Sequence, residues 1–376
     1  MKLSPVEPLK LSFIGGGDNS SIGKMHFLSS QLDKKFKVVS GFFSRNNLTN
    51  IKSGNKWNIN KNRIYNSIEN LIKHEKDKID AFVILLPTPN HFDVLKKLIK
   101  ENLTIICEKP IVSNLNEAEK IYKLIKKLKF NKLFTTYNYT GYPMVREIKE
   151  IIRKKKLGKL LHFNFEMPQD GFLISKKKNK IKQWRMTDSI IPTIFLDLGI
   201  HLFNLSVFLI DKKPKKIITN YSHLKIKKKI VDNVKIWLSY DYNTFGSFWF
   251  SKSSLGNRNS LSLKLFFEKG SIYWNQKEQD TISMSLNDGS IRILDRSCKL
   301  FEANKERYNR YSAGHPSGFL EAFANLYSDI ADTINNKRQN IKFIFDYKSS
   351  IDGIFFLNTA NQSSKKNCWV NTNFKF

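Results

Sequence analysis

Residues 11–23, LSFIGGGDNSSIG, form a short apolar run that ends on three consecutive glycines and then opens an amphipathic stretch. Gly15, Gly16 and Gly17 directly after a strand permit a tight turn and let backbone amides approach a pyrophosphate, which the N-terminus of the following helix stabilises. The last glycine falls at Gly23, three residues later than the G-x-G-x-x-G spacing, where this chain has Ser20. A second strand about 20 residues on supplies the context of a dinucleotide-binding unit. An ordinary tight strand-to-helix turn is the plainer alternative.

Working outward, apolar runs at 11–14, 38–43, 81–86, 104–107 and 133–137 read as strands. Between them, 22–32, 67–75, 91–101 and 115–128 carry helical periodicity, the alternation of a parallel sheet flanked by helices. Near Pro143 the pattern changes. A helix to about residue 156, a strand at 159–168 and a helix over roughly 193–210 precede the alternating runs 217–223, 231–240, 245–251, 261–268 and 271–274, which predict an antiparallel sheet. Helices at about 317–335 and 346–363 close the chain. With 376 residues, two domains are expected, 1–138 and 139–376.

An NAD-reading enzyme usually places Asp or Glu at the end of the second strand, on the ribose hydroxyls. Here the sequence is Ser44-Arg45-Asn46. Ser and Arg can hold an added phosphate by hydrogen bonds and charge, so the reading leans to NADP over NAD. The alternative is that Arg45 is a solvated turn residue.

The segment 195–204, FLDLGIHLFN, sets Asp197 and His201 four residues apart in an apolar helical frame. Residues i and i+4 share a helix face, so an acid and a base project together from a buried element. Such a pair suggests catalysis, against the alternative of one internally satisfied polar pair.

The formal charge of +31 would ordinarily suggest nucleic acid or a membrane surface. Its distribution argues otherwise. Lys outnumbers Arg about five to one and is scattered over helix surfaces and turns, as at 154–156, 176–178 and 227–229, whereas base readers and phosphate clamps favour Arg. The wealth of Lys, Asn, Ile and Phe fits AT-rich codon usage. A positive field would still steer anionic ligands. Cys107, Cys298 and Cys368 show neither pairing rhythm nor metal-ligand spacing, so no metal is expected and a reducing compartment is. The first ten residues lack an apolar stretch, and no run reaches membrane-span length, which predicts a cytoplasmic protein.

Four pieces now stand in order: the glycine-rich turn, Thr88-Pro89-Asn90, Glu108-Lys109-Pro110, and Asp197-x-Gly199-x-His201. With 138–143 (NYTGYP), Trp184-Arg185, Gly314-His315-Pro316 and 321–323 (EAF), the chain resembles the Gfo/Idh/MocA oxidoreductases over essentially its full length. That family includes glucose-fructose oxidoreductase and inositol dehydrogenases. The resemblance implies an α/β protein with an N-terminal Rossmann domain and a C-terminal α/β domain on a largely antiparallel open sheet, often a homodimer or homotetramer. It implies hydride transfer between NAD or NADP and a hydroxyl-bearing carbon of a sugar, inositol or related polyol, with Lys109, Asp197 and His201 as the catalytic group.

Cofactor contacts are then expected from Gly15, Gly17, Ser20, Ile22 and Gly23, from Ser44 and Arg45, from Pro87, Thr88 and Asn90, and from Glu108 and Lys109. Glu108 is placed on the nicotinamide ribose; Asn138, Tyr142, Arg185 and His315 line the substrate pocket. The chemistry agrees with the residue types. Oxidising a secondary alcohol needs a base on the hydroxyl proton, which suits His201. Lys109 stabilises charge developing on the oxygen, and Asp197 holds the imidazole or the hydroxyl in register. His26, His74, His162 and His223 show no partner pattern and read as ordinary residues.

Two departures stand out. The glycine run common before the catalytic Asp is replaced by Ile191-Pro192-Thr193-Ile194, which reshapes the pocket. A histidine common three residues after the Thr-Pro-Asn asparagine is replaced by Asp93, with His91 nearby, a change read as one of local packing. Competing readings are a retained-cofactor enzyme using transient oxidation for elimination or glycoside hydrolysis, marked by cofactor kept through purification, and a non-catalytic dinucleotide sensor. A nucleic-acid binder would show a steeply salt-dependent affinity.

Overall fold

In the computed structural model the described residues are 7–174, 187–223, 230–335 and 342–374. The chain begins β1 (Leu9–Gly15), α1 (Ser21–Leu32), β2 (Phe36–Phe42), α2 (Asn47–Lys56), α3 (Ile68–Glu75), β3 (Ala81–Leu85), α4 (His91–Lys100), β4 (Ile105–Glu108), α5 (Leu115–Leu128) and β5 (Leu133–Thr136). These strands form one sheet in the order β2-β1-β3-β4-β5, every neighbouring pair parallel. A parallel sheet is covered on both faces, so its strands read as continuous apolar runs. The five residues of β3, AFVIL, are all buried.

The helices explain where the lysines go. In α4, Val94, Leu95, Leu98 and Ile99 are buried while Lys97 and Lys100 face outward, the apolar stripe of an amphipathic helix. Helix α2, NLTNIKSGNK, is not among the elements expected from the sequence, because its Asn, Ser and Gly favour turns over helix interiors. Asn46 caps it by accepting from the Thr49 amide at 2.9 Å. Asn50 then turns inward, accepting from the Phe43 amide at 2.7 Å and donating to the Tyr65 carbonyl at 2.8 Å.

The chain continues through α6 (Pro143–Arg153), β6 (Leu160–Pro168), a π-helical turn Phe195–Gly199 leading into α7 (Ile200–Ile210), β7 (Lys216–Ser222), β8 (Asn233–Ser239), β9 (Phe245–Ser251), β10 (Ser262–Phe267), β11 (Gly270–Asn275), β12 (Thr281–Leu286), β13 (Ile291–Asp295), α8 (Phe319–Ile334), α9 (Tyr347–Lys366) and β14 (Val370–Asn371). Nine strands make the second sheet, in the order β13-β12-β11-β10-β6-β9-β8-β7-β14. All its pairs are antiparallel except β6 with β9. The expected fold class, a Rossmann domain and a second α/β domain on a largely antiparallel sheet, is therefore the observed one.

The register sorts this sheet's two faces. Ile236, Phe248, Phe163, Leu265 and Ile272 point inward and are buried. The opposite row runs Ile218, Trp237, Ser247, Asn164, Lys264, Tyr273, Ser283, Ile293 across neighbouring strands, with Trp237 at 56% and Ile293 at 62% exposure. On α6, the Glu147 carboxylate accepts from the amides of Phe301 at 3.0 Å, Glu302 at 2.6 Å and Ala303 at 3.0 Å. Beside it, buried Arg146 donates to the Tyr308 hydroxyl at 2.8 Å. A charged pair inside an amphipathic helix thus anchors the loop 301–308.

The chain divides into two compact units, but not at a single boundary between 138 and 139. The first holds 1–141 and 319–351, the second 142–318 and 352–376. The reason is α8. Its Leu326, Tyr327, Ile330 and Ala331 share one core with Phe13, Phe36 and Val83, so a helix near the far end of the chain completes the first unit. Helical periodicity reveals that α8 has an apolar face and is silent about which sheet receives it.

Candidate active site

In the first unit the glycines act through close approach. Gly15 and Gly16 adopt left-handed backbone angles, φ 87° and 70°, which side chains disfavour. A Cβ on Gly23 would lie 1.8 Å from the Gly16 carbonyl oxygen, and one on Gly16 would lie 2.6 Å from Leu85 Cδ1. The late glycine therefore seats the first turn of α1 directly on the loop. Ser20 is the N-cap, its hydroxyl accepting from the Gly23 amide at 3.2 Å, and no acidic residue stands in the first turn. Gly17 contributes differently, its amide donating to the Phe43 carbonyl at 3.2 Å and so tying the loop to the end of β2. Ile22 is half-buried beside Gly23.

Asp18 puts a negative charge in a loop suited to phosphate. Lys56 at 2.9 Å and Lys24 at 3.5 Å answer it, and the hydrogen bond from Lys56 leads in holding its carboxyl below the ordinary 3.8. At the end of β2, the Ser44 hydroxyl accepts from the Asn46 amide at 3.1 Å, and Arg45 is exposed. Thr88 is buried in a single 3-10 turn, Thr88–Asn90, with Pro87 half-buried before it and Asn90 exposed. A cradle that a Cβ would fill, a capped helix whose first turn carries no acidic residue, an Asp18 charge answered by two lysines, and this loop at the carboxyl edge of a parallel sheet fit a dinucleotide.

Strand β4 delivers Glu108 and then Lys109, which is half-buried and precedes a cis peptide to Pro110. Glu108 is held from behind through one carboxylate oxygen. Its Oε1 receives Thr136 Oγ1 at 2.6 Å and His26 Nε2 at 3.1 Å, while His26 Nδ1 lies 2.6 Å from the Tyr327 hydroxyl. A carboxylate only accepts, so Nε2 carries the proton in this pair. Burial pushes the Glu108 carboxyl up, but His26, Lys109 and Thr136 outweigh it and the group sits below its ordinary 4.5.

A depressed folded-state pKa means Glu108 contributes stability above pH 4.5 that is lost as the pH falls through the folded value. Between about pH 5 and 3 the thermal midpoint of the protein should accordingly fall more steeply than that of Glu108→Gln. Parallel curves in a thermal-melt series would show that the network contributes no such linkage.

His91 bridges the Leu86 carbonyl at 2.8 Å and the Pro110 carbonyl at 3.0 Å, and burial holds its pKa below 6.5. It pins the segment after Lys109, a packing role. Asn138 is buried, and its Nδ2 has no hydrogen-bond partner among the described residues.

In the second unit, Asp197 lies within the π-helical turn Phe195–Gly199, and His201 follows on α7, 5% exposed. The predicted helix is present, with its first turn widened; single π turns recur at functional sites. The residues in place of a glycine run are core: Ile191 and Ile194 are buried, and Asp188 Oδ1 accepts the Thr193 amide at 2.9 Å. Asp197 Oδ2 lies 2.5 Å from Lys252 Nζ, both side chains largely buried.

Tyr142 is 1% exposed against Trp274, its hydroxyl accepting from Gln276 at 3.1 Å. His315 is exposed, and its carbonyl receives Arg296 at 2.7 Å. Arg185 lies outside the described residues.

Sequence reasoning passes over two polar residues here. His26 stands three residues after Gly23, the spacing that shares a helix face, which marks it as inward. In β9, Gly246, Phe248 and Phe250 point inward, and the strand's two-residue period continued past its end puts Lys252 on the same side.

No helix among the described residues is long and apolar enough to cross a membrane. No group of three His, Cys, Asp or Glu among them could hold a metal ion.

Residues 9–136 match the model of the GFO/IDH/MocA oxidoreductase family with an NAD-binding Rossmann fold, and 145–273 match the family's C-terminal domain. An uncharacterized oxidoreductase of Bacillus subtilis, YfiI, is 23% identical, with 97% of each chain covered. A levoglucosan dehydrogenase of Pseudarthrobacter phenanthrenivorans is 22% identical over 56% of this chain and 59% of that one. An inositol dehydrogenase homologue of Azotobacter vinelandii, solved with NADH and myo-inositol, superimposes with a TM-score of 0.88 at 21% identity, over 97% of this chain and 98% of the other. The two family models cover both parts of the chain that carry the glycine turn, Glu108-Lys109-Pro110 and the Asp197–His201 helix, and the chain belongs to the GFO/IDH/MocA oxidoreductase family.

Proposed function

We propose that this oxidoreductase transfers hydride between a nicotinamide dinucleotide and a hydroxyl-bearing carbon of a sugar, an inositol or a related polyol. The observation that carries the reading is the pair Asp197 and His201, an acid and a buried base on a helix otherwise made of Phe, Leu and Ile. Relatives with these names, an inositol dehydrogenase homologue and a levoglucosan dehydrogenase, support the substrate class.

When bound, the nicotinamide supplies the hydride acceptor or donor; the protein's residues manage the proton and the charge. In this reading His201 takes the hydroxyl proton during oxidation and returns it during reduction. Lys109 neutralises charge developing on the substrate oxygen, and Asp197 orients the hydroxyl or the imidazole. The first turn of α1 holds the pyrophosphate, with Gly15, Gly16 and Gly23 permitting its approach. Asn138, whose buried Nδ2 has no hydrogen-bond partner among the described residues, is the candidate for a polar contact to bound ligand; Tyr142, Arg185 and His315 keep the substrate roles proposed for them. Exposed Arg45 at the end of β2 favours NADP over NAD. The exposed row Trp237, Tyr273, Ile293 on the open sheet is the surface proposed for a homodimer or homotetramer.

The test is fluorescence titration of the purified protein with NADPH and NADH, followed by sugars, inositols and sugar acids monitored at the nicotinamide absorbance. The expected result is binding of both cofactors, NADPH about tenfold more tightly, with turnover of a polyol and light scattering above the monomer mass. Equal affinities remove the NADP preference, and binding without turnover of any polyol overturns the substrate class.

A further inference from the structure

Lys252 is 6% exposed, one of two buried lysines among the described residues, the other being Lys149. A lysine is almost never buried to that extent without a partner. Its Nζ lies 2.5 Å from Asp197 Oδ2 and 5.5 Å from the centre of the Phe172 ring. The backbone fixes it from both sides: the Lys252 amide donates to the Asp232 carbonyl at 2.8 Å, and its carbonyl accepts from the Phe172 amide at 2.9 Å. The flanking serines are committed as well, Ser251 Oγ to the Asp232 carbonyl at 3.1 Å and Ser253 Oγ to Asp232 Oδ2 at 2.8 Å. These bonds hold the main chain from which the Lys252 side chain reaches Asp197.

We propose that Lys252 is the positioning residue of the site: it keeps Asp197 a carboxylate and fixes its orientation, a role that rests on the assignment of Asp197 to the substrate or to His201. A carboxylate drawn into an apolar surrounding otherwise takes up a proton, and a protonated Asp197 would no longer attract the hydroxyl proton or the imidazolium. The ammonium removes that option and claims one carboxylate oxygen. Among the described residues, titratable groups on the neighbouring segments include His201 on the same helix, Asp188 before it, Asp170 after β6, Tyr221 on β7, Asp232 beside Lys252 and, on α9, Asp352, which pairs with Lys213. Among the described contacts of Asp232 is the Ser253 hydroxyl, and Asp188 accepts the amides of Thr193 and Val231.

The experiment compares Lys252→Met, Lys252→Arg, Asp197→Asn and the double variant Lys252→Met/Asp197→Asn, each as the full chain. With a polyol that is turned over, Lys252→Met should lower kcat/KM at neutral pH at least about tenfold and move its acid limb upward by about one to three pH units. Lys252→Arg should return the limb toward its original place, and the NADH Kd should stay constant throughout. An acid limb that does not move, with kcat/KM reduced equally at every pH, overturns the proposal.

Thermal midpoints measured without substrate separate this proposal from the reaction assigned above. Removing the carboxylate with Asp197→Asn should relieve most of the loss caused by Lys252→Met, because the uncompensated charge is then gone. Strictly additive losses overturn the pairing whether or not any polyol reacts. Relief without turnover upholds Lys252 as the keeper of the Asp197 charge and sinks only the polyol chemistry.

Discussion

Replacing His201 with alanine should lower kcat by about 10²–10⁴-fold, the usual share of a positioned acid–base group, while leaving the Kd for NADH unchanged. Its neighbours on α7 are Ile200, Leu202 and Phe203, all buried, and none of these can accept a proton. Lys109→Ala should fall by about 10²–10³-fold, as loss of a group that stabilises charge on oxygen does. Lys109 also follows β4 at the carboxyl edge of the parallel sheet, where such sheets bind ligands. Steady-state kinetics and NADH titration on the same preparations distinguish the roles. If both variants lose cofactor affinity as much as they lose turnover, the two side chains serve the dinucleotide and the assigned chemistry is wrong.

The second large effect belongs to a residue with no side chain. Gly23→Val should destabilise the first unit by about 3 kcal/mol or more, at or beyond the upper end of ordinary overpacking, and weaken NADH binding by at least about tenfold. A Cβ at that position would stand 1.8 Å from the Gly16 oxygen, and the atom it meets is backbone, which no rotamer change can clear. Relief requires α1 to slide away from the glycine turn, taking Ser20 and His26 with it. Gly171→Ala supplies the control, since among the described residues nothing lies within 4 Å of the Cβ it would gain. Thermal melts and NADH titration of both variants are the measurement. A Gly23→Val protein with unchanged midpoint and affinity would show that the loop and helix do not meet as described.

The parallel sheet is legible because its strands are continuous apolar runs and its helices carry clean stripes, so β3 and α4 appear in the sequence nearly at their observed ends. Helix α2 is not, since Asn46 and Asn50 stabilise it through side-chain bonds that propensity does not count. Strands β12 and β13, with Ile291 and Ile293 exposed and Ser283 and Ser285 between apolar neighbours, lie where one face is uncovered and alternation is weak. Of the candidate site, Asp197 and His201 are visible as polar residues in an apolar helix, and Lys109 as part of a short motif. Their supports, His26 behind Glu108 and Lys252 behind Asp197, are polar residues whose partners lie 82 and 55 positions away. Local pattern shows such residues to be inward and leaves the partner unnamed.

The two-part composition of the nucleotide-binding unit has a consequence for the growing polypeptide. Its sheet is complete once residue 141 has left the ribosome, but α8, which carries Leu326, Tyr327 and Ile330 into the same core, belongs to the segment ending at 351. That helix is complete at Ile334, an interval of 334 − 141 = 193 residues, roughly 10–40 s of elongation at about 5–20 residues per second. During that time the face of the sheet assigned to α8, around Phe13 and Phe36, stands without its cover. The protein must therefore emerge with an unfinished apolar surface, and a chaperone that binds nascent chains has its longest opportunity on this one between those two lengths.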